Sequence, residues 1–488
     1  MVQKKTKIVA TISDMRCEVD FIKSLHKEGI NVVRMNSAHM TEEGFIKVIN
    51  NVRTVSKHIG IMMDTKGPEI RTTATESGEK IVVKTGDKIK VIGDINVLST
   101  PEQISVSYPS IVNDVPVGNV LLIDDGETAL QVIEKGANYL MCVVQNDGTI
   151  GSRKSVNIPG VSINLPSITE KDKKCIEIAI KHGADFIAHS FVRSKKDVLD
   201  VQHILDQHKS DIKIIAKIEN QEGVDNIDEI YQTAYGVMVA RGDLGIEVPQ
   251  ENIPAIQRLL IRKAIEYKKP VIVATQMLHT MIENPRPTRA EVTDIANAVF
   301  YGTDAVMLSG ETAYGKYPVE AVRTMAQVAA ATEKSKLAEK AMPVPFKDEE
   351  YDITSFLAKQ AVKSCSQLGV NAIVTDSYTG RTARTLAAFR SKSPVYAICC
   401  KEEVARQLSV CYGVHAEYQE NTGFTTHKHK EYFLKALKNL MDKNLVNKVD
   451  TVAYLSGTFG EGKGTSFLEI NNVGRVVDST DSFEVPVD

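Results

Sequence analysis

Lys217 and Glu219 stand two positions apart in the segment KIEN, directly after a run of apolar residues. Residues i and i+2 of a β-strand point to the same face of the sheet, so these two side chains would share one site. On an exposed sheet such a pair is an ordinary ion pair. Inside a barrel its burial would be costly without a function. The segment therefore predicts a functional site if its strand lies inside a barrel.

A second carboxylate, Asp243, follows the next apolar run in the segment ARGDLG. If the two runs form neighbouring strands, Asp243 lies beside Glu219. Two carboxylates with few other protein ligands suit Mg²⁺ or Mn²⁺, although each alone could be structural. Gly242 and Gly245 would let the backbone turn sharply and leave amide groups free to face an anion.

Two further segments combine charges with rigid turns. The segment DTKGPEIR, residues 64–71, contains a Gly-Pro break among alternating charges. We interpret it as a cation and phosphate site, with a surface turn as the alternative. In the segment NPRPTRAE, residues 284–291, Thr288 and Glu291 have the spacing of a capping box. This spacing predicts a mainly structural role at the start of a helix.

Eight short apolar runs, most of them separated by stretches of helical composition, must position these residues. Runs that are apolar on both faces are typical of parallel strands covered by helices, and eight βα units close a barrel with its reacting groups at the strand ends. We therefore predict an α/β fold built on a (β/α)8 TIM barrel; an open doubly wound sheet is the alternative. The runs occupy residues 7–12, 31–36, 59–65, 184–191, 212–220, 236–243, 270–276 and 304–311.

Two segments break this βα pattern. Residues 72–155 alternate polar and apolar positions between Gly/Asp turns, which predicts a small inserted β-barrel domain that acts as a lid. After residue 340 a new βα alternation predicts a separate three-layer α/β domain. We thus expect barrel domain A at 1–71 and 156–340, lid domain B at 72–155 and domain C at 341–488.

The composition excludes several classes of protein. A formal net charge of -3 over 488 residues gives no global field that would attract nucleic acid or an anionic membrane. No apolar run approaches the roughly 18 residues of a membrane span. Seven cysteines without a CxxC pair argue against a disulfide framework and a zinc site. We expect a cytoplasmic protein that binds neither nucleic acid nor membranes.

Six segments occur in the order in which they are found in pyruvate kinases: DTKGPEIRT, KIEN, MVARGDLGIE, ATQML, PRPTRAEVTDIANAV and MLSGETAYGKYP. The chain resembles this family from about residue 5 to near its C-terminus. The resemblance implies transfer of the phosphoryl group of phosphoenolpyruvate to ADP, with Mg²⁺ or Mn²⁺ and K⁺ as cofactors. It also implies an allosteric C-terminal domain and a homotetramer.

By this resemblance, Glu219 and Asp243 would bind the divalent metal. Lys217 would offset charge on the phosphoryl group during transfer, and Arg34 would contact the same group. The amides of residues 241–243 (Arg241, Gly242 and Asp243) would receive the substrate carboxylate. Thr275 would lie where the enolate is protonated, with the side chain or water as the proton donor.

The resemblance places the monovalent cation at Asn36, Asp64 and Thr65. Glu69 stands at a position that goes with potassium dependence in the family. Ala38 departs from the family pattern, because it lacks a hydroxyl group that normally helps to bind the ion. We expect a potassium site with fewer protein ligands and weaker affinity.

The nucleotide would be approached by Arg34, Asn36, His39 and, from the lid, Lys154. The segment TISDMR, residues 11–16, stands where the family has Gly-Pro and small residues, and Ser155 replaces a glycine. These departures affect the part of the pocket that would receive the nucleotide.

A sugar-phosphate effector would bind in the C-terminal domain. The segment DSYTGRT opens a helix after a strand, so its hydroxyl and amide groups could bind a phosphate, with a plain N-capped helix as the alternative. A Gly-rich stretch at 456–465 resembles the loop that closes over a sugar phosphate in the family. The predicted effector residues are Ser377, Thr379, Gly380, Arg381, Thr382, Gly462 and Gly464.

Two rival functions remain at the level of sequence. Another phosphoenolpyruvate-handling barrel, such as a dikinase domain or a lyase, would not be expected to combine DTKGPEIRT, the inserted lid and the C-terminal domain. A catalytically silent protein that kept the fold is the rival from a different class. Against it, Lys217, Glu219, Asp243, Arg34 and Thr275 are all present.

Overall fold

The chain begins with three strands that are buried along nearly their whole length. The computed structural model describes residues 4–38, 40–335, 352–420, 426–457 and 464–481. The continuous burial of these strands fits parallel strands with apolar groups on both faces. The elements are β1 (Lys7–Thr11), α1 (Val19–Glu28), β2 (Val32–Asn36), α2 (Glu42–Val55) and β3 (Gly60–Asp64).

After β3 the strands alternate between buried and exposed positions, because only one face of each packs on a core. A six-stranded sheet with the order β11-β7-β8-β9-β5-β6 and a two-stranded sheet of β10 and β4 enclose this core. The elements are β4 (Ile81–Val83), β5 (Lys88–Ile92), β6 (Gln103–Ser105), α3 (Ile111–Asp114), β7 (Val120–Ile123), β8 (Thr128–Lys135), β9 (Leu140–Val144), β10 (Gly148–Ile150) and β11 (Val156–Asn157). The last strand lies just beyond residue 155, where the sequence placed the boundary.

The chain then returns to the first sheet and completes a closed barrel with the order β1-β16-β15-β14-β13-β12-β3-β2. The five further strands are β12 (Phe186–His189), β13 (Lys213–Ile218), β14 (Gly236–Ala240), β15 (Val271–Ala274) and β16 (Ala305–Leu308). The eight predicted apolar runs are the eight barrel strands, and all their pairings are parallel. The prediction of a TIM barrel is confirmed, and the open sheet is excluded.

Helices cover this barrel, and two of them begin with a full capping box. Thr169 caps α4 with Asp172, and Thr288 caps α10 with Glu291, as the sequence predicted for the second pair. The helices are α4 (Glu170–Lys181), α5 (Lys195–Gln207), α6 (Gln221–Asp225), α7 (Ile227–Thr233), α8 (Arg241–Glu247), α9 (Ile253–Tyr267), α10 (Arg289–Phe300), α11 (Gly310–Ala313) and α12 (Pro318–Glu333). Short 3₁₀ helices span Gln250–Asn252 and His279–Ile282.

The C-terminal region forms a five-stranded sheet with the order β19-β18-β17-β20-β21, in which only β21 is antiparallel. Its strands are β17 (Ala372–Ser377), β18 (Val395–Cys399), β19 (Val414–Tyr418), β20 (Thr451–Ser456) and β21 (Phe467–Asn472). Its helices are α13 (Ile353–Gln367), α14 (Arg381–Ala388), α15 (Glu402–Gln407), α16 (Thr426–Asp442) and α17 (Val473–Asp481), with a 3₁₀ helix at Leu408–Val410. The predicted α/β domain is confirmed; β19 and β21 were not predicted.

Two buried carboxylates join this domain to the barrel. Asp185 precedes β12 and contacts Arg406 at 2.7 Å and Arg53 at 2.8 Å. Asp304 precedes β16 and contacts Arg390 at 2.7 Å. Both carboxylates lie at the amino-terminal ends of their strands, so the C-terminal domain packs against the end of the barrel opposite the carboxyl ends. Among the described residues, no helix is both long enough and apolar enough to span a membrane.

Candidate active site

The carboxyl ends of β2, β3 and β13 bring three predicted site residues into contact. Nε of Arg34 lies 2.6 Å from Oδ2 of Asp64, and Nζ of Lys217 lies 3.1 Å from Oδ1 of the same carboxylate. Nη1 of Arg34 donates to Oγ1 of Thr11 at 3.0 Å, which fixes the guanidinium group further. Two cations therefore flank one carboxylate that is almost completely buried.

The ammonium group of Lys217 has three oxygen partners. Besides Asp64, it donates to Oγ of Ser190 at 2.7 Å and lies 3.0 Å from Oε1 of Glu219. The contact with Glu219 shows that the two side chains share one face, as their spacing predicted. Three partners restrict the group to one position, which is a form of preorganisation.

The charges in this cluster shift each other's pKa values. Burial opposes the charged form of Asp64, but Arg34 and Lys217 lower the pKa of its carboxyl group below the ordinary value. Burial also opposes the charged form of Lys217, yet Asp64 and Glu219 raise the pKa of its amine. Both groups are therefore charged near neutral pH, and the site offers fixed positive charge to an anion.

Glu219 has the properties of a metal ligand. It is completely buried, and its Oε2 accepts the backbone N–H of Phe191 at 2.8 Å. Its Oε1 has no hydrogen bond of good geometry to any described residue, although Nζ of Lys217 lies nearby. Burial raises the pKa of this carboxyl group despite Lys217, and the charge of Asp243 adds to the effect. A divalent cation would supply the missing partner and offset this repulsion.

Asp243 belongs to the first turn of α8, directly after β14. Strand β14 pairs with β13, so Asp243 and Glu219 follow neighbouring strand ends. The described residues contain no cluster of three or more His, Cys, Asp or Glu side chains that could hold a metal. Two carboxylates with open positions are what Mg²⁺ uses when substrate and water supply its other ligands, so the residues fit that ion.

The segment 241–247 differs from the prediction in one respect. Gly242 and Gly245 do not form a sharp glycine turn, because the segment continues as helix α8 and neither glycine has a positive φ. The Gly242 amide donates to Oγ1 of Thr275 at 2.8 Å. The expectation of free amide groups is therefore wrong for Gly242 in this structure.

The side chain of Arg241 holds Thr275 in an unusual backbone conformation. Thr275 and Gln276 have φ values of 71° and 54°, in the left-handed region that non-glycine residues rarely adopt. Nη2 of Arg241 donates to the carbonyl oxygen of Thr275 at 2.5 Å, and Nη1 contacts Asp294 of α10 at 2.6 Å. Such strain is found where function requires a fixed hydroxyl position.

The residues proposed for the monovalent cation lie at adjacent strand ends. Asn36 and Asp64 are paired in the register of β2 and β3, and Thr65 follows Asp64. Oδ1 of Asn36 accepts the backbone N–H of Ala38 at 3.0 Å. The hydroxyl of Ser37 is buried beside the thiol of Cys175, on helix α4 outside the barrel sheet. It therefore does not replace the missing hydroxyl at residue 38. His39 lies outside the described residues.

The negative charge of Glu69 is offset by two neighbouring cations. Nε of Arg71 donates to Oε2 of Glu69 at 2.7 Å, and Nζ of Lys66 lies 3.4 Å from the same oxygen. In the lid, Nζ of Lys154 contacts Asp124 at 2.6 Å. The structure thus places Lys154 on a lid carboxylate and does not bring it into the cluster around Lys217.

A cavity of about 390 Å³ lies between the lid and the barrel. Asp243 and Phe191 line its barrel side, and Asn157 lines its lid side. Nδ2 of Asn157 donates to Oε1 of Glu247 at 3.0 Å across the gap. The lid sheet is therefore close to Asp243, while space for small molecules remains.

The predicted effector residues are brought together only in part. Gly380, with a φ of 78°, precedes α14, and Oγ1 of Thr382 lies 2.7 Å from Oγ1 of Thr465. Arg381 contacts Asp352 at 3.3 Å. The hydroxyl of Ser377 is buried without a hydrogen bond to the described residues, and the Thr379 carbonyl accepts from Arg384. Gly464 has a φ of 61°, and Gly462 lies outside the described residues.

Sequence reasoning missed three residues that shape the site. Ser190 binds Lys217, Asp294 binds Arg241, and Asp172 accepts the amide groups of Lys66 and Gly67 at 3.0 and 3.3 Å. Only Ser190 had a usable signal, because it is a polar residue at the end of a buried strand. The two aspartates lie in amphipathic helices, where they resemble ordinary polar positions.

Comparisons with known proteins show which family the chain belongs to. The family model described as the pyruvate kinase barrel domain matches residues 3–322, and the model of the pyruvate kinase alpha/beta domain matches residues 356–471. Pyruvate kinase from Borreliella burgdorferi is 49% identical over 97% of this chain and 98% of its own length. Pyruvate kinase from Bacillus licheniformis is 44% identical over 97% of this chain and 81% of its own.

Among solved structures, a pyruvate kinase from Cryptosporidium parvum superposes with a TM-score of 0.88. It is 37% identical in sequence, and the match covers 96% of both chains. The agreement extends over the barrel, the inserted sheets and the C-terminal domain, so it identifies an enzyme: a phosphotransferase that acts in glycolysis and forms pyruvate and ATP from phosphoenolpyruvate and ADP. The chain belongs to the pyruvate kinase family.

Proposed function

We propose that Lys217, Arg34 and Thr275 carry out phosphoryl transfer from phosphoenolpyruvate to ADP at the carboxyl ends of the barrel strands. The observation that carries this proposal is the position of the Lys217 ammonium group, which Asp64, Ser190 and Glu219 hold at about 3 Å. A fixed cation stabilises the charge that spreads over the phosphoryl oxygens during transfer. Arg34, held by Asp64 and Thr11, would bind the same group from β2, which is separated from β13 by β12 and β3.

Glu219 and Asp243 would hold the divalent cation, Mg²⁺ or Mn²⁺. When bound, this ion supplies charge neutralisation for the phosphoryl and enolate oxygens. The buried Oε1 of Glu219 is the observation that supports the site. The amides of residues 241–243 would bind the substrate carboxylate, which requires Gly242 to exchange its contact with Thr275 for the substrate.

Thr275 would orient the enolate carbon for protonation. Its Oγ1 accepts from Gly242 and donates to the carbonyl oxygen of Ala274 at 2.6 Å, so the hydroxyl is fixed at the strand end. The side chain would either donate the proton itself or position a water molecule that does so.

K⁺ would bind at Asn36, Asp64 and Thr65, with weaker affinity because residue 38 is alanine. ADP would lie between the barrel and the lid, near Arg34, Asn36 and His39. Lys154 would approach the nucleotide only after leaving Asp124. We assign the barrel to residues 1–71 and 156–340, the lid to 72–155 and the C-terminal domain to 341–488, except that strand β11 (Val156–Asn157) pairs with β7 and belongs to the lid sheet.

The test of the catalytic assignment is the variant Lys217→Met. We expect at least about a 100-fold loss of pyruvate formation with saturating Mg²⁺ and K⁺, because removal of one preorganised charge partner has effects of this size. Lys213→Met is the matched control, since it lies on the same strand at the other end of the barrel. Activity of Lys217→Met near that of the control would contradict the assignment.

Binding at the proposed metal site can be measured independently of catalysis. Asp243→Asn should weaken Mn²⁺ binding, followed by electron paramagnetic resonance, by at least roughly tenfold, since even partners of metal ligands contribute that much. Unchanged Mn²⁺ affinity would remove Asp243 from the ligand set.

A sugar phosphate would bind near residues 377–382, where Gly380 and Thr382 begin helix α14. Saturation curves for phosphoenolpyruvate, with and without fructose 1,6-bisphosphate or hexose monophosphates, test this proposal. Curves that none of these compounds shifts would contradict it.

The enzyme would assemble as a homotetramer. Among the described residues, strand β21 lies at an open edge of its sheet, and α13 exposes Ile353 by 60% and Phe356 by 56%. Light scattering during gel filtration should give a tetramer, and Phe356→Glu should reduce the mass. We place the enzyme in the cytoplasm, because its reaction belongs to glycolysis and its seven cysteines carry free thiols.

A further inference from the structure

We propose that Ser190 is a positioning residue that fixes Lys217 and couples its ammonium group to the backbone oxygen of Thr65. Ser190 follows the end of β12, between the strand that ends at Asp64 and the strand that carries Lys217. The inference rests on the proposed roles of Lys217 in phosphoryl transfer and of Thr65 in cation binding. It adds a residue that joins these two functions.

The hydroxyl of Ser190 connects the two groups directly. Its Oγ accepts from Nζ of Lys217 at 2.7 Å and lies 2.6 Å from the carbonyl oxygen of Thr65. A hydroxyl has one proton, and the short contact to Thr65 takes it, since Oδ1 of Asp64 is farther away at 3.3 Å. Ser190 is 2% exposed, so water cannot easily replace it. Among the three oxygen partners of Lys217, it is the closest.

Backbone contacts make this connection stiff. The amide of Ser190 donates to Oγ1 of Thr65 at 3.1 Å, and the amide of Thr65 donates to the carbonyl oxygen of Ala188 at 2.9 Å. Gly67 has a φ of +74°, and a Cβ atom there would lie 2.9 Å from Cβ of Ser190. The segment 65–67 is therefore in tight contact with the end of β12.

This packing transmits a displacement of Thr65 to Lys217. The Thr65 carbonyl oxygen accepts the Ser190 proton, and a cation bound at the proposed site would share this oxygen. The Ser190 hydroxyl would therefore hold the Lys217 ammonium group in place only if the Thr65 carbonyl oxygen is itself held in place. A purely structural serine would contribute to folding, but it would not link the response to K⁺ with turnover.

The experiment compares Ser190→Ala with Ser190→Thr, which keeps the hydroxyl. For Ser190→Ala we expect kcat to fall roughly 10- to 100-fold at saturating K⁺, the effect of losing one hydrogen bond to a charged group. The K⁺ concentration for half-maximal activity should rise roughly fivefold or more, which is a usual size for coupling between two sites. KM for phosphoenolpyruvate should change less than kcat. Ser190→Thr should recover most of kcat and of the K⁺ response.

Ser364→Ala is the matched control, because Ser364 is equally buried and donates to the Ala361 carbonyl oxygen at 2.6 Å, far from the site. Thermal unfolding measures the stability cost of each variant. A kcat for Ser190→Ala within about twofold of the parent protein would overturn the positioning role. A lower kcat with an unchanged K⁺ response would overturn the coupling. Failure of Lys217→Met to lose activity would instead contradict the proposed function on which the inference rests.

Discussion

Residue 38 carries a methyl group, and not a hydroxyl, beside the proposed site for the monovalent cation. The backbone N–H of Ala38 is bound to Oδ1 of Asn36, so the residue lies next to the proposed site. The neighbouring hydroxyl, on Ser37, is buried on the other side next to Cys175. The proposed site would therefore depend on Asn36, Asp64 and Thr65 for its protein oxygens.

We expect Ala38→Ser to strengthen K⁺ activation. An added hydroxyl would supply one more oxygen ligand, and the K⁺ concentration for half-maximal activity should fall by about three- to tenfold, the effect of one additional hydrogen-bond-sized contact. The measurement is a KCl titration of pyruvate formation at fixed Mg²⁺ and fixed ionic strength. Full activity of the parent protein in strictly potassium-free buffer would contradict the site itself.

Ser37→Ala is the control for this titration. Its hydroxyl is buried away from Asn36, so its removal should change stability and leave the K⁺ midpoint in place. A shift of the midpoint in Ser37→Ala would show that the side chain reaches the cation after all. It would also remove the reason for the gain in Ala38→Ser.

At the scale of elements, helix α10 links a capping box to the active site. Glu291 accepts from the amide of Thr288 at 2.8 Å and the amide of Thr280 at 2.8 Å. One turn further along α10, Asp294 binds Arg241. Arg241 donates a hydrogen bond to the carbonyl oxygen of Thr275, whose backbone has a positive φ. The start of this helix therefore fixes the position of Asp294.

We predict that Thr288→Ala lowers the free energy of unfolding by about 1 kcal/mol, the usual cost of losing an N-cap side chain. Thr293→Ala is the control in the same helix, because its exposed hydroxyl only donates to the Arg289 carbonyl oxygen. Urea unfolding followed by circular dichroism measures both. Equal effects of the two substitutions would mean that the box contributes nothing specific.

The contribution of the Thr288–Glu291 capping box to stability depends on pH. Burial opposes the charged form of Glu291, but hydrogen bonds from Thr280 and Thr288 lower the pKa of its carboxyl group. A lowered pKa stabilises the folded state above the unfolded pKa, about 4.3 for a glutamate, and this contribution is lost as the pH falls through the lowered value. The difference between the parent protein and Thr288→Ala should therefore be smaller at pH 3 than at pH 7.

Much of this architecture could be predicted because burial leaves a strong pattern. The eight barrel strands are continuous apolar runs that end in a polar residue, and all eight were identified from the sequence. Strand β21 was missed because half of its sequence, FLEINN, is polar and none of its residues is fully buried. Strand β19, with the sequence VHAEY, has only one fully buried residue. Edge strands with few buried residues do not produce the same signal.

Some contacts of the candidate site could likewise be predicted from the sequence, and others could not. Lys217 and Glu219 could be paired from strand geometry, because their contact is local in sequence. The contacts of Arg34 with Asp64 and of Arg241 with Asp294 join residues far apart in the chain, and spacing carries no information about them. The glycine turn predicted at Gly242 was wrong because residues 241–247 adopt helical backbone angles, and this helical geometry orients the amides.

At the scale of the whole molecule, a barrel strand connects the C-terminal domain at one end with the candidate active site at the other. Asp185 lies at the start of β12, where Arg406 and Arg53 bind it, and Ser190 follows the end of the same strand. The C-terminal domain is therefore attached to the base of a strand whose other end contacts Lys217. Asp304 and Arg390 form a second attachment at the base of β16.

We expect Arg406→Ala to destabilise the protein by about 1.5–3 kcal/mol, because Asp185 would lose a charged hydrogen bond in a buried setting while keeping Arg53. Arg323→Ala is the matched control. Its guanidinium group contacts Glu28 at 2.9 Å but is 45% exposed, so its loss should cost much less than the loss of Arg406. Denaturant unfolding compares the two variants by their midpoints, since a protein of several domains need not unfold in two states. If both substitutions cost the same, Asp185 is not a principal attachment of the C-terminal domain, and the barrel and that domain are held together mainly by their apolar contacts.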